Sequence, residues 1–97
     1  MFLGKVIGTV WSTKKDENLV GAKFLIVNEL DLDLNEKDRF VVAVDSVGAG
    51  DGEVVLVATG SSSRQTEFSK DKPVDAVIMA IVDKLDVSVR QMQEQKG

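Results

Sequence analysis

Apolar residues recur along the chain in five runs separated by turn-forming residues. Within most runs they alternate with a period of two, the spacing of a strand that sends successive side chains to opposite faces. The first run covers residues 2–13, with Val6, Gly8 and Val10 on one face and Leu3, Ile7 and Trp11 on the other. A polar hairpin of Lys14, Lys15, Asp16, Glu17 and Asn18 ends it. The second covers residues 19–28, where Ala22, Phe24 and Ile26 alternate with Lys23, Leu25 and Val27. An acidic loop follows over 29–38. The third run, 39–47, groups Phe40, Val42 and Val44, and the alternation gives Phe24 and Phe40 the positions expected of core residues. A glycine-rich turn at 48–52 leads into the fourth run, 53–59. Residues 60–73 are polar and irregular, with room for one short helical turn in 61–68. Pro73 then opens the fifth run, 74–84, at a position where a missing N–H is tolerated. Five short strands with turn chemistry between them predict an all-β fold, a small barrel or sandwich. Residues 1–84 form its single domain, and 85–97 form a polar tail that is mobile or contacts a neighbouring subunit.

Two of these runs are apolar on both faces: Val54, Val55, Leu56, Val57 and Ala58, and the stretch from Ala76 through Ile81 to Val82. A solvated antiparallel sheet alternates apolar with polar residues instead. One face of such strands can fill a barrel; the other needs a cover. A second subunit is the simplest cover, and the chain's own loops or tail are the alternative.

Composition narrows the function. With 97 residues, one domain fills the chain, and area scaling predicts burial of roughly 64% of the unfolded surface, a thin core for a lone copy. There is no cysteine for a disulfide or thiolate and no histidine for a Ser/His nucleophile. The formal charge of -4 and the sequence pI of about 4.7 speak against a phosphate backbone as partner. Charged residues such as Lys5, Lys23, Asp45, Glu53 and Asp83 interrupt every apolar run, so no membrane span is expected. The first residues show no basic region followed by an apolar core and a small-residue cleavage site, so secretion is not expected either.

The candidate motifs each meet a simpler reading. Gly48, Ala49, Gly50, Asp51 and Gly52 follow a strand and begin Gly-x-Gly, but a dinucleotide turn must open a helix, and this one opens into Glu53, Val54 and Val55. A turn with positive φ and close backbone approach fits better. Asp31, Asp33 and Asn35 have calcium-loop spacing, yet Glu36 replaces the required glycine and Val42 the bidentate glutamate. Ser61, Ser62, Ser63 and Arg64 have no base to activate a serine beyond Lys70 or Lys72, and they suit polar contacts at a subunit boundary. Asp45 and Glu53 flank the glycine turn without an assignable acid/base role. No catalytic, metal or cofactor site is expected. The strand count also allows an oligonucleotide-binding barrel, and a single-stranded nucleic-acid-binding module is the alternative function. Its usual basic groove lined with exposed aromatics is not evident in this sequence.

Four blocks carry a family resemblance: Gly8-Thr9-Val10-Trp11; Leu19-Val20-Gly21-Ala22-Lys23-Phe24-Leu25-Ile26-Val27; Val42 through the Asp45-Ser46-Val47-Gly48-Ala49-Gly50 loop to Leu56, continuing to Gly60-Ser61-Ser62-Ser63-Arg64-Gln65; and Pro73-Val74-Asp75-Ala76 with Ile81-Val82-Asp83. Together they resemble the EutN/CcmL family of bacterial microcompartment vertex proteins over about residues 1–84. The resemblance implies a five-stranded, oligonucleotide-binding-like closed barrel. It implies a homo-oligomeric ring, a pentamer in preference to a hexamer, that caps the vertices of a polyhedral shell in the bacterial cytoplasm beside hexagonal shell proteins. It also implies a structural role without catalysis. Gly48, Ala49, Gly50, Asp51 and Gly52, with Gly60, Ser61, Ser62, Ser63 and Arg64, match the family's two characteristic loops and are the expected subunit-interface residues.

Overall fold

The computed structural model describes residues 1–13, 15–60 and 75–88. They form five strands, β1 (Phe2–Val10), β2 (Phe24–Leu30), β3 (Glu36–Asp45), β4 (Val54–Thr59) and β5 (Ala76–Ile81), with a 3-10 turn at Glu17–Leu19. The strands close into a barrel in the order β1-β2-β3-β5-β4. All pairings are antiparallel except β3 with β5, which run parallel through Val44↔Val77 and Asp45↔Ile78. The expected closed five-stranded barrel is therefore present, its β3–β5 seam resting on those two residue pairs.

The barrel is filled by Val6, Leu25, Val27, Ala43, Val55, Val57 and Ile78, with Ala49 and Ala76 at its ends. Each fully buried Val, Leu or Ile contributes about 1.5–3 kcal/mol of transfer free energy, and β-branched residues dominate because they fit the pleated wall. Gly4 has no room for a side chain: a methyl group there would overlap Cγ1 of Val27.

Several boundaries differ from the sequence expectation for identifiable reasons. β1 ends at Val10, paired with Phe24, the first residue of β2, so residues 11–13 have no ladder to join. Residues 19–23 precede the strand instead of joining it: Asp16 Oδ1 accepts the Asn18 N–H at 2.8 Å, the 3-10 turn runs to Leu19, and Gly21 at φ +85° redirects the chain. β3 begins at Glu36, because the β2–β3 ladder runs on to Leu30↔Glu36 and the acidic loop shrinks to 31–35. β4 agrees to within a residue, and β5 is shorter than the 74–84 run. The expected helical turn in 61–68 and the tail from residue 89 lie outside the described residues.

The expectation that Phe40 is a core residue is overturned. Register sets Leu25 opposite Ala43 and Val27 opposite Val41, so these point inward, and Phe40, Val42 and Val44 point out. Phe40 is 65% exposed, while Phe24 is half-buried on the outside of the barrel.

Candidate assembly surface

Two regions bear on assembly: the glycine loop at one end of the barrel and the outer wall of β1–β2–β3. The loop between β3 and β4 is held by the carboxylates that flank it. Asp45 Oδ1 accepts backbone N–H bonds from Val47, Gly48 and Ala49 at 3.1, 3.1 and 3.2 Å. Glu53 Oε1 accepts the Gly50 N–H at 2.6 Å. Ser46 Oγ donates to the Ile78 carbonyl at 2.8 Å, fastening the loop to β5. Gly52 N–H donates to the Val6 carbonyl at 2.8 Å, and Val6 N–H donates to the Glu53 carbonyl at 3.0 Å, which fastens it to β1. Gly48 and Gly52 take φ of +76° and +84°, the left-handed region that favours glycine. One carboxylate oxygen of each of Asp45 and Glu53 is thus engaged by the loop backbone.

Within this loop the expected interface residues separate. Gly48, Asp51 and Gly52 are exposed and Gly50 is half-buried. Ala49 is 1% exposed and packs into the barrel core, so its methyl group is a core contact. Gly60, at φ +63°, donates its N–H to the Asp75 carbonyl at 2.9 Å, which ties the end of β4 to the start of β5. Ser61, Ser62, Ser63 and Arg64 lie outside the described residues.

The acidic loop is a turn device. Asp31 Oδ1 accepts N–H bonds from Asp33 at 2.8 Å and Asn35 at 3.0 Å, leaving that oxygen engaged by the backbone. Among the described residues no group of three or more metal-ligating side chains is placed to hold an ion. Among the same residues no helix is long and apolar enough to cross a membrane.

On the outer wall, strand register lines up three cross-strand rows. Row one is Val10–Phe24–Val44–Val77. Row two is Gly8–Ile26–Val42, with Ile7 as the extra residue of a bulge between Val6 and Gly8. Row three is Lys5–Asn28–Phe40. The sequence reading missed this wall, since its signal lies in the pairing and not in any single run. Trp11 (88% exposed) and Phe40 are both open to solvent, but Phe40 shares its strand face with Asp38 and Glu36, the opposite of a phosphate-binding groove.

The chain matches the family described as ethanolamine utilisation protein EutN/carboxysome over residues 1–83. It is similar to the bacterial microcompartment shell vertex protein GrpN of Rhodospirillum rubrum (strain F11), 48% identical over 86 residues that span 89% of this chain and 97% of GrpN. The carboxysome shell vertex protein CcmL of Synechocystis sp. is 47% identical over 88 residues, 91% of this chain and 88% of CcmL. Among solved structures, the barrel superposes on the GrpN pentameric microcompartment shell protein from Rhodospirillum rubrum with a TM-score of 0.82, at 48% identity, covering 90% of this chain and 99% of that one. It superposes on CcmL of Gloeobacter violaceus with a TM-score of 0.85, at 42% identity, covering 91% of each chain.

Proposed function

The chain belongs to the EutN/CcmL family, and from that premise we propose that it is a structural shell protein whose copies close into a five-membered ring capping the vertices of a bacterial microcompartment. The observation that carries this reading is likeness along nearly the whole chain, in sequence and in barrel, to a protein whose solved structure is described as pentameric. Geometry gives the mechanism. A flat sheet of six-fold tiles cannot close on itself, and a five-fold unit at each corner supplies the missing curvature. The partners are then hexagonal shell proteins, and the place of action is the shell, within the bacterial cytoplasm. Relatives named as shell vertex proteins point to assembly without turnover.

Residues 1–84 are the assembling domain in this reading, and residues 85–97 are a tail that contacts a neighbouring subunit. The exposed loop positions Gly48, Asp51 and Gly52, together with Gly60, Ser61, Ser62, Ser63 and Arg64, contribute to subunit contacts, Arg64 through a charge-assisted hydrogen bond. Each copy carries a formal charge of -4, so the ring is acidic and its contacts with tile edges respond to salt.

Native mass spectrometry at low micromolar protein tests the proposal. A dominant five-subunit species is expected; a stable monomer across a range of salt overturns it. Arg64→Ala is expected to dissociate at higher protein concentration than the unmodified chain, and identical behaviour on dilution removes Arg64 from the interface.

A further inference from the structure

The outer wall of β1–β2–β3 is covered over only part of its length. Row one is covered by the chain itself from Phe24 to Val77, beyond the exposed Val10: Leu19 and Ala22 pack with Phe24, Val44, Val77 and Met79. Lys15 holds that segment in place, donating to the Ala22 carbonyl at 3.1 Å and standing 5.6 Å above the Phe24 ring. Among the described residues, rows two and three have no such lid. Ile7 is 50% exposed, Val42 42% and Phe40 65%, with Ile26 between Gly8 and Val42. β4, by contrast, exposes no large apolar side chain.

A second copy of this chain is the occupant that the surface and the ring together require. The described strands close into a barrel, which leaves its outer side-chain faces as the broad surfaces available to a second copy. A ring contact is heterologous, using two different surfaces of each subunit. A standard contact takes about 800 Å² per partner. Two of them cover about a quarter of the 6560 Å² that one chain exposes. The centre of such a contact is poor in charge and built on aromatic and aliphatic anchors. Ile7, Ile26, Val42 and Phe40 have that character, with Lys5 on one flank and Asp38 and Glu36 beyond Phe40 as a charged rim.

We propose that the outer face of β1–β2–β3, centred on Ile7, Ile26, Val42 and Phe40, is one of the two surfaces through which copies of this chain bind each other, with Phe40 as its anchor. The proposal rests on the ring reading above and names a wall of the barrel distinct from the two loops.

The test compares the unmodified protein, Phe40→Asp, Val42→Asp and Leu32→Ser by native mass spectrometry, after circular dichroism has established that each is folded. Leu32 is a half-exposed apolar residue in the β2–β3 loop, away from the three rows. Expected are five-subunit rings for the unmodified protein and Leu32→Ser, and at least a tenfold loss of ring for both aspartate variants, the range of an interface anchor. Hydroxyl-radical footprinting of the unmodified protein needs no variant: Phe40 should be oxidised several-fold less in the ring than after dissociation by dilution. Rings that survive both aspartate substitutions overturn the proposal. So does a ring in which Phe40 is as readily oxidised as in the dissociated chain, which would leave this face for a shell tile. Absence of any ring in the unmodified protein overturns this proposal and the ring reading together, and is told apart by the unmodified control alone.

Discussion

Glu53 Oε1 accepts the backbone N–H of Gly50 at 2.6 Å, a bond that spans the β3–β4 loop from its far side while Asp45 holds the near side. Gly50 is half-buried, so removing the acceptor strands a donor that water reaches poorly. Glu53→Ala is expected to lower stability by about 1–3 kcal/mol, the cost of an unmade buried hydrogen bond. Asp45→Ala should cost a similar amount and Asp45→Asn less, because the amide oxygen still accepts. Urea denaturation midpoints at fixed protein concentration check the order.

Gly4 and Gly8 lie on the same strand but differ in what a side chain would meet. A Cβ on Gly4 overlaps Val27 Cγ1 and lies 3.1 Å from the Asn28 carbonyl oxygen, whereas one on Gly8 meets only Ile26 Cδ1 at an ordinary 3.5 Å. Gly4→Ala is expected to destabilise the fold by about 1–3 kcal/mol through overpacking. Gly8→Ala should leave thermal unfolding of the barrel nearly unchanged.

Leu34 adopts φ +64° in the β2–β3 loop, a left-handed conformation that a branched apolar side chain rarely takes. Asparagine tolerates that region without the extra unfolded-state freedom of glycine. Leu34→Asn is therefore expected to raise stability by up to about 1 kcal/mol, read as an increase in the denaturation midpoint.

Ala49 and Asp51 are two residues apart in one loop and should respond oppositely to substitution. The Ala49 methyl group sits in the barrel core, so Ala49→Leu should cost about 1–3 kcal/mol by overpacking. Asp51 is exposed at the turn, and Asp51→Ala is expected to change monomer stability by less than about 0.5 kcal/mol. Any larger loss of ring on Asp51→Ala, seen by native mass spectrometry, would report a contact between copies.

The amino-acid sequence by itself determined the five strand-forming runs and their order. It also determined the glycine turn with its left-handed positions, because Gly48 and Gly52 need only local backbone freedom. Four blocks together carried the resemblance to its family, the Asp-x-Val-Gly-Ala-Gly loop followed by Gly-Ser-Ser-x-Arg being the most specific part, since both motifs are contiguous and residue-specific. Tertiary structure alone decided which apolar residues fill the barrel. In β3 both phases of the alternation are apolar, Val41 and Ala43 on one side and Phe40, Val42 and Val44 on the other, so a period of two cannot choose between them. Pairing with Leu25 and Val27 makes the choice, and a slip of one residue would reverse it. The bulge at Ile7 resets the phase of β1 in the same way: Val6 is inside, whereas Gly8 and Val10, expected on the same face as Val6, stand on the outer wall opposite Ile26 and Phe24. The reason is physical: a strand's local sequence sets which residues share a face, but only its neighbours across the ladder set which face meets the core.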